Sequence, residues 1–156
     1  MSTKTGFSYE VFMKNDFPKF DFVFIDGGHD YETVRHDFFA SINLVSEKFV
    51  ILFDDYISRP FYGVQKFVDE EITPHFKSII IETGFLKINE TESKKHSRCL
   101  IESESLETPI SEIFPNQKIQ MILKNYRQHQ KRVKKYRKII NRLPFLRNKK
   151  IKFWEN

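Results

Sequence analysis

Cysteine is almost missing from this chain of 156 residues. Cys99 stands alone, so no internal disulfide and no cysteine-based zinc site can form, and a buried reduced thiol is the expected role. Glycine is scarce as well, with five residues at 6, 27, 28, 63 and 84. Their spacing contains neither G-x-G-x-x-G nor G-x-x-x-x-G-K-[ST], which excludes a glycine-rich cradle for a nucleotide. No apolar run reaches the ~18–20 residues that cross a bilayer, and the opening MSTKTGFSYE lacks the apolar stretch of a secretory signal. Cytoplasm is therefore the expected compartment.

What is present suits one globular domain with an appendage. The length falls within the ~100–200 residues of a typical domain. A hydrophobic fraction of 40%, with 17 Phe, is enough for a core. The net charge of +5 conceals a division. Residues 1–116 carry 12 Lys and Arg against 20 Asp and Glu, a net of −8, while 117–156 carry 14 against one, a net of +13. The first segment is not expected to seek polyanions; the second suits any anionic surface.

The nearly unbroken apolar run Phe20-Asp21-Phe22-Val23-Phe24-Ile25 ends at Asp26-Gly27-Gly28 and predicts a strand buried on both faces. Phe49-Val50-Ile51-Leu52-Phe53 repeats the pattern and ends at Asp54-Asp55. Between them, Tyr31, Val34, Phe38, Ile42 and Val45 share one face of a helix over 31–46, with Asp30 as its cap and Glu32 in its first turn. Strand, helix and strand make a right-handed βαβ unit. A second helix is expected from Ser58-Arg59-Pro60 through Phe61, Val64, Phe67, Val68 and Ile72, stopped by Thr73-Pro74. Short β-branched runs at 77–82 and 98–102 predict a long-looped antiparallel pair at the end of the sheet. From 116 to Leu143 the chain turns helical again. Ile119, Tyr126, Val133 and Ile140, with Ile122, His129, Tyr136 and Leu143, draw a narrow stripe along a basic cylinder that Pro144 ends.

Parallel strands of one βαβ unit finish at the same edge, so Asp26, Asp54 and Asp55 are expected on a common rim, where open α/β sheets bind ligands. Three carboxylates repel one another, and a divalent cation with oxygen preference relieves that repulsion; Mg²⁺ suits the set best. His29, on the turn after Asp26, can take a proton near neutral pH. Without a cation, Asp after a strand is a turn or cap residue, and His29 a surface group.

FDFVFIDGGHDYETVRHDF, then VILFDDY and PFYGVQKFVDE, resembles the second half of class I S-adenosylmethionine-dependent methyltransferases, in the branch whose signature reads IDG-x-H-x-Y. Asp26, Gly27, His29, Tyr31, Val34 and Asp37 fall at that family's positions, and Gly28 stands where relatives often carry an acid. The resemblance spans about residues 5–102. It implies part of a doubly wound, Rossmann-like α/β sheet, mostly parallel with its last strand antiparallel, over 1–108, followed by the basic helix and tail at 109–156.

The resemblance also implies methyl transfer to a hydroxyl of a small molecule or glycan. S-adenosylmethionine would be the donor, touched by Gly6, Ser8 and Asp26. Mg²⁺ would sit on Asp26, Asp54 and Asp55, and His29 with Asp26 would perform the proton chemistry. The family's first three strands and glycine-rich loop would precede this region, and only about 19 residues do so here. The expectation is a truncated or split methyltransferase, or a remnant put to another use. Its β-edge at FDFVFI would be open, its stability marginal, and the isolated chain inactive and without measurable affinity for S-adenosylmethionine. A missing front half and a second copy are the partners this implies.

The basic helix admits other roles. A membrane-surface helix, an RNA-binding face, a dimerising coil and a plain solvated helix docked by its stripe are all physically allowed. Phe153 and Trp154 beside Lys152 lean toward a membrane interface, and no recognition module accompanies the charge to favour nucleic acid.

Overall fold

The computed structural model describes residues 11–12, 17–57, 62–87 and 93–142. The elements run β1 (Phe20–Ile25), α1 (Tyr31–Ser41), a 3₁₀ turn (Ile42–Leu44), β2 (Val45–Phe53), α2 (Val64–Phe67) continued by a π turn (Val68–Ile72), and β3 (Ser78–Lys87). They continue with β4 (Ser93–Glu102), a 3₁₀ turn (Ser103–Ser105), α3 (Ile110–Ile113) and α4 (Asn116–Arg142).

The α1 helix begins where the sequence places it. The Asp30 carboxylate accepts from the Thr33 amide at 3.0 Å, satisfying a backbone group that the first turn leaves open, and from the Thr33 hydroxyl at 2.7 Å. It stops at Ser41, whose hydroxyl donates to the Phe38 carbonyl at 2.9 Å. The expected helix over 31–46 is therefore shorter, and β2 starts at Val45 rather than Phe49. The reason lies in the pairing: Phe20 faces Val45 while Phe22 faces Val50, so a bulge absorbs the extra residues of β2 and keeps Val45 in the ladder. The described second helix begins at Val64, and its expected start at 58–61 lies outside the described residues.

The sheet order is β1-β2-β4-β3. β1 and β2 are parallel, and β4 runs antiparallel to both of its neighbours. The sheet is thus mixed, with its last strand reversed as the sequence predicts. β3 and β4 are ten residues each, longer than the apolar runs that announced them.

One face of the sheet is dry. Ile25, Phe53 and Cys99 form one cross-strand row there, and Val23, Ile51 and Ile101 another. Against them pack Phe38, Phe39, Phe67 and Phe114, with Phe38 at ring distances of 5.1 Å from Phe39 and 5.6 Å from both Phe67 and Phe114. Most of these side chains are fully buried. α4 joins the same layer through Ile119, Ile122 and Tyr126, the beginning of its predicted stripe, and through Leu123 beside them. Tyr126 stacks on the buried ring of His36 in α1 at 3.9 Å.

The opposite face departs from expectation. Phe24, Leu52, Leu100 and Ile79 form a continuous row across all four strands, yet Phe24 is 44% and Ile79 55% exposed. β1, predicted to be buried on both sides, is covered on one. No element among the described residues lies over Phe22 and Phe24, and β1 has β2 as its only described neighbour.

Candidate functional site

The rim forms where β1 and β2 end. The Asp54 amide donates to the Ile25 carbonyl at 3.0 Å, which fixes the two strand ends side by side. Asp26 and the Asp54-Asp55 pair therefore leave the sheet together, as the parallel βαβ reading requires. Because β4 runs the other way, its beginning arrives at the same rim. That reversal brings His96 and Arg98 to the aspartates.

Asp55 joins two histidines. Its Oδ2 lies 2.7 Å from His29 Nδ1 and its Oδ1 2.9 Å from His96 Nε2. Asp54 Oδ1 accepts from Arg98 Nε at 2.7 Å and stands 3.9 Å from His96 Nε2. Asp54, Asp55 and His96 each present one ligand atom, all within 4.8 Å of one another. Asp26 is not part of this trio. It is exposed at the end of β1 and acts on the site through its charge. The Arg98 guanidinium is held above its ordinary pKa by its hydrogen bond to Asp54, then by the charges of Asp54, Asp26 and Asp55, against a smaller opposing effect of burial. Arg98 also lies over the Phe24 ring at 5.5 Å, tying the rim to the bare face of the sheet.

Two local devices hold the histidines. The His29 ring stacks on Tyr62 at 4.7 Å, with the planes 2° from parallel, while the Gly63 amide donates to the His29 carbonyl at 2.6 Å. His96 Nδ1 is 2.5 Å from Thr83 Oγ1, and the same hydroxyl donates to the His96 carbonyl at 3.1 Å. With its proton on that carbonyl, Thr83 accepts from His96 Nδ1–H. His96 Nε2 then faces the Asp55 carboxylate either as a protonated imidazolium or as a lone pair beside a cation that the carboxylate shares. Asp55 itself adopts φ 51°, a left-handed conformation uncommon outside glycine, although aspartate adopts it more readily than most residues.

His96 escaped the sequence reading because the expected strand begins only at Arg98, so the polar residues before it read as loop; Arg98 was placed in that strand without a role at the site. The alternation of Ser97, Cys99 and Ile101 inward with His96, Arg98 and Leu100 outward was the signal that extends the strand backward. Gly6 and Ser8, expected to touch a cofactor, lie outside the described residues.

Residues 3–56 match the family model of a methyltransferase domain. That segment contains β1, α1, β2 and the three rim aspartates, so the resemblance drawn from the sequence is supported independently there. No curated protein matches the chain. Among solved structures, an O-methyltransferase from Bacillus cereus, described in complex with SAH, is similar at 16% identity and a TM-score of 0.42. The match covers 60% of this chain and 45% of that one, so the chain spans less than half of that enzyme's length.

Proposed function

We propose that the chain is part of an S-adenosylmethionine-dependent methyltransferase acting on a hydroxyl of a small molecule or glycan. The observation that carries this is the convergence of Asp54, Asp55 and His96 at the rim of a βαβ unit whose sequence matches a methyltransferase domain. Two carboxylates and an imidazole aimed at one point fit a divalent cation. Mg²⁺ follows from the resemblance, and the nitrogen donor favours Mn²⁺ within the same chemistry. When bound, such a cation lowers the pKa of a coordinated hydroxyl and orients it.

The chain's own residues would do the rest. With Nδ1 engaged by Asp55, His29 presents its other nitrogen to take the acceptor's proton, and the Tyr62 stack fixes the ring plane. Arg98 offsets the charge of Asp54, and Asp26 adds negative charge at the rim. The described residues carry neither G-x-G-x-x-G nor G-x-x-x-x-G-K-[ST], so on this reading the methyl donor draws on residues beyond them. The edge of β1 that no described strand pairs with supports pairing with a parallel strand of such a front half.

Mn²⁺ binding followed by electron paramagnetic resonance tests the cation site. Saturable binding by the intact chain, lost in Asp54→Asn/Asp55→Asn and weakened by His96→Gln, is expected; equal binding by all three rejects it. Calorimetry should find no micromolar affinity for S-adenosylmethionine in the chain alone. Methyl transfer should appear only with a glycine-rich front half added, and disappear with the double substitution.

A further inference from the structure

We propose that the distal half of α4 forms a docking surface for an anionic lipid membrane, independent of the rim chemistry. The helix is one continuous element from Asn116 to Arg142, about 40 Å long. Its first turns are anchored in the protein: Ile119, Ile122, Leu123 and Tyr126 are buried, Tyr126 Oη lies 3.2 Å from Thr33 Oγ1, and Gln130 donates to Tyr126 at 2.7 Å. Beyond Tyr126 the helix runs on for about 24 Å. Along that stretch Lys131, Arg132 and Lys135 are exposed.

Charge selects the partner. Residues 117–156 hold 14 Lys and Arg against one acid, whereas 1–116 are net negative. An anionic surface attracts the end of the molecule and repels the body, so the chain lands on its basic helix. Lipid is favoured over nucleic acid by what is interleaved with the bases. Helical spacing continues the buried line of Ile119, Ile122 and Tyr126 to positions Val133, Tyr136 and Ile140, and the sequence beyond carries Phe145, Leu146, Ile151, Phe153 and Trp154. Aliphatic and aromatic residues alternating with lysine and arginine insert at a headgroup boundary, while a polyanion bound through phosphates alone has no use for them.

The single tryptophan, Trp154, follows α4 in the sequence and serves as a reporter without labelling. The intact chain is mixed with vesicles of phosphatidylcholine alone or with about 30% phosphatidylserine at about 0.1 M salt. Sedimentation with the anionic vesicles only, a blue shift of tryptophan emission and release as salt rises are expected. Each base near the surface contributes about fivefold to partitioning, so Lys131→Glu/Arg132→Glu/Lys135→Glu should weaken binding at least about 100-fold. The salt series on the unaltered chain gives a reading that does not depend on how that variant folds. Three results would overturn the proposal: no sedimentation with anionic vesicles, equal binding to neutral ones, or tight binding to single-stranded RNA with no emission shift on vesicles.

Discussion

Gly63 sits where two halves of the rim are clamped together, and Gly63→Ala isolates what that clamp contributes. A Cβ at Gly63 would lie 2.5 Å from Tyr31 Cα and 2.7 Å from Tyr31 Cβ, and closer still to the Tyr31 amide nitrogen. Ordinary contact begins at 3.4 Å, so the strands of backbone must part by about 1 Å. No side-chain rotation relieves this, because the obstacle is the first residue of α1 itself. Parting them stretches the 2.6 Å bond from the Gly63 amide to the His29 carbonyl and lifts Tyr62 off the His29 ring. Overpacking costs about 1–3 kcal/mol and the weakened hydrogen bond about 1 kcal/mol. The stiffer unfolded chain returns about 0.5 kcal/mol, for a net loss of about 1.5–3.5 kcal/mol. With a urea slope of about 2 kcal/mol/M, the unfolding midpoint should fall by about 1 M or more, with the slope unchanged. A midpoint within about 0.2 M of the unaltered chain would refute the claim that this close approach exists.

Three further outcomes follow from the same packing. Phe38→Ala removes the ring shared by Phe39, Phe53, Phe67 and Phe114 and should cost about 3–5 kcal/mol in urea denaturation; a loss below about 1 kcal/mol would place that ring outside the core. Asp30→Ala should cost about 1 kcal/mol through the lost cap, visible in the same assay, and Asp30→Ser should recover most of it. Burial and then the hydrogen bond to Asp69 raise the Tyr56 phenol from 10.0 to about 12, and burial raises the Cys99 thiol from 9.0 to about 12. Both folded values exceed the unfolded ones, so these groups contribute fully below the unfolded pKa and lose that contribution as pH climbs from 9.0 toward 12. The urea midpoint should therefore drop across that alkaline window, and Cys99 should resist thiol reagents until the protein unfolds.

The parts of the molecule that reached the sequence reading intact are those whose signal is local. Asp30 announces α1 because capping involves residues three apart, and the apolar runs at 20–25 and 49–53 announce strands because they are continuous. The parallel pairing follows from the helix between them, and with it the neighbouring positions of Asp26 and Asp54. What escaped depends on distant partners. The early start of β2 at Val45 is set by a bulge against Phe20, and His96 is brought to Asp55 by a strand whose beginning is polar. The exposure of Phe22 and Phe24 was likewise hidden, since an apolar residue does not record whether anything lies over it.

The placement of β4 between β2 and β3 governs the order in which this protein can take shape during synthesis. β3 leaves the ribosome before β4 yet has β4 as its only described sheet neighbour, so it must wait for the later strand to be inserted. The Asp54-Asp55 corner emerges early with only His29 of its partners already made, and His96 and Arg98 reach it dozens of residues later. Whatever a nascent chain does with β1, α1 and β2 alone, it does without Arg98 and His96 at its rim.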